Sequence, residues 1–431
     1  MKILLANEGC IMGGVETWMV SLSRMLRERG HECELFFFNH GPMEENLPED
    51  LTAHFGDLAD LMKLVRSKGF DIVHANSTDW HVGLAAVRML GPKLVLTSHG
   101  RNVPTWNPLN ADALVSCSRW EAEEQRAETG VEVQTVLNGI DTARFKAAEV
   151  TEVKGPPIVA WIGRGINVEQ KRIDKLAEVA PLLHAAGMRL YLVEPYGPEE
   201  VAKVAPEAVD ALQPIADFWG AVPVEKMAEL YLEVAASGGC VLSTSSFEGL
   251  PLTLLEAQAA GCPAIGPDVR GVNECISPEH GGVLYPFEMK AEEVAALIIE
   301  TLSDEEGMRR RRAESERFAR ERFSLERMAG DYLKIYEQAL GKPRKSFSTE
   351  RSLFGVWPRL GWKGYLEYCW TGGHSQYLAS EKLAAQGEWR LAELAARSAL
   401  STCPTLFTRP RRVFHLLKTE LRSKAGQNRL R

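Results

Sequence analysis

The 431-residue chain has eight cysteines but no C-x-x-C pair, so neither a zinc site nor a disulfide framework is indicated. Cys10, Cys33, Cys117, Cys240, Cys262, Cys275, Cys369 and Cys403 stand singly, a usage that suits a reducing cytoplasm. There is no uncharged apolar run of the roughly 18 residues a bilayer crossing needs, and no charged-then-apolar leader, so neither a membrane span nor secretion is supported. No D-x-D triplet occurs. The first glycine loop, Gly9-Cys10-Ile11-Met12-Gly13-Gly14, is not G-x-G-x-x-G, and the run ending Phe38-Asn39-His40 carries no acidic residue to hold a ribose, which disfavours a nicotinamide dinucleotide.

What is present is apolar enough, at 45% hydrophobic, for two or three domains with real cores. The net charge of −8 hides an asymmetry: from Gly341 onward there are 17 Lys or Arg against 6 Glu, whereas the first 340 residues carry a surplus of 19 negative charges. No nucleic-acid recognition motif accompanies that basic tail.

Strand-like and helix-like runs alternate in two halves, as stacked βα units require. Lys2–Ala6, Cys33–Phe38, Ile72–Ala75, Lys93–Thr97, Ala113–Val115 and Val133–Leu137 read as strands in the first half, with a connecting helix from about Gly14 to Arg29. Ile158–Ile162, Leu190–Val193, Cys240–Ser243 and Pro263–Ile265 do so in the second. Lys154-Gly155-Pro156-Pro157 reads as the linker. The expected domains are 1–153 and 154–325, then a crossing helix at 326–341 and a basic, aromatic-containing helical extension at 342–431.

The most informative segment is Ser246-Phe247-Glu248-Gly249-Leu250-Pro251-Leu252-Thr253-Leu254-Leu255-Glu256-Ala257. Gly249 permits a sharp turn, and Pro251 suits a first helical position where its missing N–H costs nothing. A strand, a tight turn and a helix N-terminus present backbone N–H groups to an anion. A carboxylate repels phosphate, so Glu248 and Glu256 suit hydroxyls, of the kind sugars and riboses supply. The plainer alternative is that Ser245 and Glu248 form a capping box and Glu256 is a solvated helix residue.

With its neighbours, the segment resembles the E-x7-E signature of retaining, nucleotide-sugar-dependent glycosyltransferases of family four. Met12-Gly13-Gly14-Val15-Glu16, Asn138-Gly139-Ile140-Asp141 with Phe145, Trp161-Ile162-Gly163-Arg164 followed by Glu169-Gln170-Lys171, and Ala259-Ala260-Gly261-Cys262-Pro263 are similar to further family motifs, in the expected order over roughly residues 1–340. The resemblance implies an α/β fold of the GT-B kind: two facing Rossmann-like domains, an interdomain cleft, and here a mainly helical extension. It implies a nucleoside-diphosphate sugar (a UDP- or GDP-sugar) as co-substrate and no cofactor; with no D-x-D present, the protein's own cations are expected to stand in for a divalent metal. Arg164 and Lys171 would grip the diphosphate, although six residues separate them here, more than is usual in the family. Glu248 would hold the sugar, and Glu256 the ribose. Gly13, Gly14, Gly163, Gly249, Leu250, Pro251, Leu252 and Thr253 would line the donor site, and His99 would contact the donor sugar. His74, Asn76 and Glu16 are acceptor-side candidates. For His99 the plainer alternative is a hydrogen-bonded structural residue, for Gly13 and Gly14 a tight turn, for Asn138 and Asp141 turn chemistry, and for Arg164 and Lys171 a solvated helix start, with Arg172 a rival cation. A catalytically idle sugar-nucleotide-binding scaffold is the alternative function.

The tail is similar to the later part of one tetratricopeptide repeat at Gly387, Trp389, Ala392, Ala399 and Pro404. One repeat cannot bury its face alone, so this helix pair is expected to pack on the catalytic body or a partner. Phe354, Trp357, Trp362, Tyr365, Tyr368 and Trp370, interleaved with Arg359 and Lys363, suit an anionic membrane surface at the inner face of the membrane. They suit the core of a folded extension equally well.

Overall fold

In the computed structural model, residues 1–11, 13–76, 84–100, 111–147, 155–343, 374–402 and 410–427 are described. Met12, Lys154, the aromatic and basic positions 354–370, Cys403 and Pro404 lie outside them. The chain divides into two compact units, Met1–Val136 with Ala329–Arg431, and Leu137–Met328.

The first unit is built on a parallel sheet of β1 (Lys2–Gly9), β2 (Glu32–Asn39), β3 (Ala53–Phe55), β4 (Ile72–Asn76), β5 (Lys93–Ser98), β6 (Ala113–Ser116) and β7 (Gln134–Thr135), in the order β3-β2-β1-β4-β5-β6-β7. The second is built on β8 (Ile158–Ile162), β9 (Arg189–Val193), β10 (Ala216–Trp219), β11 (Cys240–Leu242), β12 (Ala264–Pro267) and β13 (Val283–Tyr285), in the order β10-β9-β8-β11-β12-β13. Each is a doubly wound, Rossmann-like sheet whose central strands are buried on both faces. Their near-continuous Val, Ile and Leu content is the signature of such strands. In sheets of this kind ligands bind beyond the carboxyl ends of the strands.

The expected boundary after residue 153 differs from the observed one, which follows Val136. The intervening segment is hydrogen-bonded into the second unit. Asn138 donates to the Leu250 carbonyl at 3.0 Å, the Ile140 N–H to Phe323 at 2.7 Å, and Arg327 to the Leu137 carbonyl at 2.7 Å. The crossing helix runs Leu325–Gly341, and the division between units falls within it.

The tail is part of the first unit. A helix over 374–385 turns at Gly387 (φ +80°) into the helix Trp389–Thr402, and Pro410–Gln427 follows. Ala379, Leu383, Leu391, Ala392 and Ala395 share one core with Leu58, Leu61, Met62 and Val65 of the helix Leu58–Lys68. Each fully buried leucine there contributes about 1.5–3 kcal/mol. Asp57 caps that helix by accepting from the Ala59 and Asp60 N–H groups, and Lys382 bonds Asp57 at 2.6 Å and Asp60 at 2.7 Å. The expected packing of the helix pair on the catalytic body is therefore what occurs.

Candidate donor site

Two loops meet in the second unit. After β8 the chain passes Gly163 and Arg164, closes a turn through the Asn167 N–H to the Arg164 carbonyl at 3.0 Å, and makes one helical turn, Val168–Lys171. The other loop follows β11 and enters the helix Leu252–Ala259, with Pro251 at the cap position, one residue before the expected place. They are tied together by Thr244 Oγ1 donating to the Lys171 carbonyl at 2.8 Å, the Ser246 N–H to Gln170 at 2.8 Å, and Ser246 Oγ to Glu169 at 2.6 Å. The added residues between Arg164 and Lys171 are taken up by that turn.

Lys171 Nζ consequently reaches Glu248 Oε1 at 2.6 Å. Ser245 Oγ donates to the same oxygen at 2.7 Å and Gln170 to Oε2 at 3.2 Å, fixing a carboxylate that is only 6% exposed. Ser245 thus engages the Glu248 carboxylate itself, and the Glu248 N–H donates to the Arg270 carbonyl at 2.9 Å. Gly271, at φ +81°, is required here, because a Cβ would collide with the Glu248 carbonyl. The rival cation Arg172 is engaged elsewhere, forked onto Asp174 at 2.8–3.1 Å and lying over Phe287. Arg164 is half-buried and, among the described residues, its guanidinium has no partner. Among the described residues the N–H groups of Gly249, Leu250, Leu252 and Thr253 also donate to no protein acceptor. Amides without a protein acceptor at a helix start are the kind of group that receives an anion.

Glu256 is buried and accepts from the Tyr231 hydroxyl at 3.1 Å. Burial pushes its acid up to about 7, against the Tyr231 bond and the Arg144 charge. Sequence reasoning missed Glu194, which is fully buried at the end of β9 and accepts from the Gly165 N–H at 3.2 Å and the Tyr196 N–H at 2.9 Å. It pins the residue that follows Arg164. The signal was there: one acidic residue closing the apolar run Leu190-Tyr191-Leu192-Val193.

The first unit holds the remaining candidates. Glu16 accepts from Asn7 at 2.8 Å inside the fold, and a Cβ on Gly13 would lie 2.7 Å from Glu16 Oε2, so the glycine makes room for this carboxylate. Gly14 opens the helix Gly14–Glu28. His74 is buried with both nitrogens engaged, Nδ1 with Tyr336 and Nε2 with Thr97, each at 2.7 Å. His99 Nε2 donates to Asn76 Oδ1 at 3.1 Å, which leaves Nδ1 able to accept, and Trp18 packs edge-on to its ring. Burial pushes both histidines down to about 3, so each is neutral. A second missed group is Glu121, pushed by burial up to about 7, which takes hydrogen bonds from Ser98 and Ser116 and so braces the Ser98-His99-Gly100 turn.

Two parallel-sheet, Rossmann-like units with a helical C-terminal region are the architecture of the GT-B fold. Residues 12–144 match the family described as Glycosyltransferase Family 4, and residues 156–304 match Glycosyl transferases group 1, so the chain carries glycosyltransferase domains of both descriptions. A GDP-mannose-dependent alpha-mannosyltransferase of Mycobacterium tuberculosis is 24% identical over 67% of this chain and 85% of its own length. An N-acetyl-alpha-D-glucosaminyl L-malate synthase of Bacillus anthracis is 25% identical over 76% of this chain and 95% of its own. In fold, the chain is similar to a glycosyltransferase from Rickettsia africae (TM-score 0.66, 18% identity, 79% of this chain and 99% of that one). It is similar also to HepE of Anabaena in complex with UDP-glucose (TM-score 0.65, 17% identity, 78% of this chain and 99% of that one).

Proposed function

We propose that the protein is a retaining glycosyltransferase that moves a sugar from a UDP- or GDP-sugar to an acceptor hydroxyl on a glycan, glycolipid or specialised metabolite. The observation that carries this is the convergence of Lys171, the fixed Glu248 and four unengaged backbone N–H groups on one pair of loops that also bears Arg164. A relative described as GDP-mannose-dependent and a fold neighbour in complex with UDP-glucose support the donor class.

Breaking the sugar–phosphate bond builds negative charge on the diphosphate and positive charge on the anomeric carbon. Arg164 offers a forked grip on the departing oxygens, Lys171 a point charge, and the helix-start amides fixed dipoles that need no reorganisation. These groups take the place of a divalent cation. Glu248 holds hydroxyls of the sugar and Glu256 those of the ribose, neither acting as a covalent nucleophile. The acceptor attacks from the face the diphosphate leaves, and that phosphate assists removal of its proton, giving retention. The free, buried cysteines at positions 10, 33, 117, 240, 262 and 275 support action in a reducing cytoplasm. No described helix is long and apolar enough to cross a membrane.

Slow hydrolysis over a panel of UDP- and GDP-sugars, with and without chelator, is the test. Turnover of one donor that persists in chelator is expected. Loss in chelator would refute the metal-free scheme, and no hydrolysis of any donor by the wild type would favour an idle scaffold.

A further inference from the structure

Glu256 is held from one side only. Its Oε2 accepts from Tyr231 at 3.1 Å, while Oε1 has no partner among the described residues and keeps access to solvent. Tyr231 stands on the helix Val224–Ala236, is completely buried, and packs its ring edge-on against Phe145 at 5.9 Å. We propose that Tyr231 is a positioning residue for donor binding: its hydroxyl orients Glu256 so that Oε1 faces the ribose hydroxyls. This deepens the donor-site reading above and rests on it.

The chemistry favours an ionised Glu256, since a charged acceptor bonds a hydroxyl about twice as strongly as a neutral one. The groups facing the pair are Arg144, which favours the carboxylate, and Cys262 beside Tyr231, whose thiol burial pushes up to about 12 and which stays neutral. Tyr231 itself is pushed well above its ordinary range and remains a donor throughout the working pH span. Removing its hydroxyl deletes one of two influences opposing the rise of the Glu256 acid. The carboxyl then titrates higher, and its protonated fraction grows at neutral pH.

Calorimetric titration with UDP-glucose and GDP-mannose, whose diphosphates do not titrate near neutrality, tests this in the full chain. Tyr231→Phe is expected to weaken binding at least about fivefold at pH 7, the loss a one-unit displacement of the profile gives there, and by less near pH 9. Glu256→Gln is expected to bind weakly at every pH, and Tyr231→Phe to add nothing to it in a double-mutant cycle. A Tyr231→Phe affinity equal to the wild type at every pH, or additive losses, would overturn the inference and leave the donor site standing. Wild-type affinity in Glu256→Gln, or binding of neither probe by the wild type, would overturn the donor-site reading as well. Should Tyr231→Phe melt early, the wild-type profile still decides, because affinity that does not rise through about pH 7 contradicts the scheme.

Discussion

At the carboxyl ends of β1, β4 and β5 in the first unit, the polar side chains are engaged with their own unit: Asn7 with Glu16, His74 with Thr97 and Tyr336, Asn76 with His99. Beyond β8 and β11 in the second unit the pattern differs. Lys171 and Glu248 hold each other, but Arg164 and four backbone N–H groups have no protein partner among the described residues. Two sheets of the same doubly wound kind therefore use similar residues for opposite ends. One engages most of them within itself, although the buried Asn76 Nδ2 has no partner among the described residues; the other leaves a guanidinium and a cluster of backbone donors unmatched, and unsatisfied donors gather where a ligand completes them.

The comparison breaks or sharpens under substitution. Arg164→Ala should cost the most activity, about 10²–10³-fold in turnover, with a melting point within error of the wild type. A fall in stability instead would show that Arg164 serves the fold. His74→Ala should do the reverse and cost about 2–4 kcal/mol in chemical denaturation, because it leaves a cavity and takes the partner from the buried Tyr336 hydroxyl, while Thr97 keeps Tyr332 at 3.3 Å. Unchanged stability there would end the contrast.

The pH dependence of stability supplies a smaller effect of known sign. Glu121 has a folded acid near 7 against an ordinary 4.5, so its protonated form is favoured by folding. That contribution is complete below about 4.5 and is lost as pH rises to about 7. His74, pushed from 6.5 to about 3, contributes above 6.5 and loses it on acidification. Glu121→Gln should flatten the first slope and leave the second, as read from denaturation midpoints between pH 4 and about 8. Smallest is Lys382→Ala, expected to cost under about 1 kcal/mol because the side chain remains one-third exposed. A larger loss would mean that the ion pair, and not Leu383 and Leu391, docks the tail.

All ten strands expected from the sequence are present, and the three missed ones share a cause. β3, β10 and β13 stand at sheet edges, and Ala53–Phe55 and Ala216–Trp219 are only partly buried, so they carry no continuous apolar run. The loop chemistry was legible in part: Pro251 stands at the start of the helix Leu252–Ala259, at the cap and not the first helical position, whereas the positive φ falls at Gly271 and not at Gly249. What no local pattern carried was pairing over long separations: Ser245 with Glu248 is visible in sequence, but Tyr231 with Glu256 and Gly165 with Glu194 exist only once β8, β9 and β11 lie side by side. The domain boundary was misplaced for the same reason. Gly155-Pro156-Pro157 has linker composition, whereas the true division is set by hydrogen bonds from Asn138 and Ile140 to residues more than a hundred positions away.

The seat of the tail on the helix Leu58–Lys68 bears on how this protein can be cut and rebuilt. A truncation near Leu340 strips the cover from Leu58, Leu61, Met62 and Val65 and takes Lys382 from Asp57 and Asp60, so the shortened protein would present an oily stripe at the start of that helix. Sticking, low yield and spurious lipid adherence are the natural behaviour of such a fragment. A chimera that takes its first lobe from another protein must carry this helix with it.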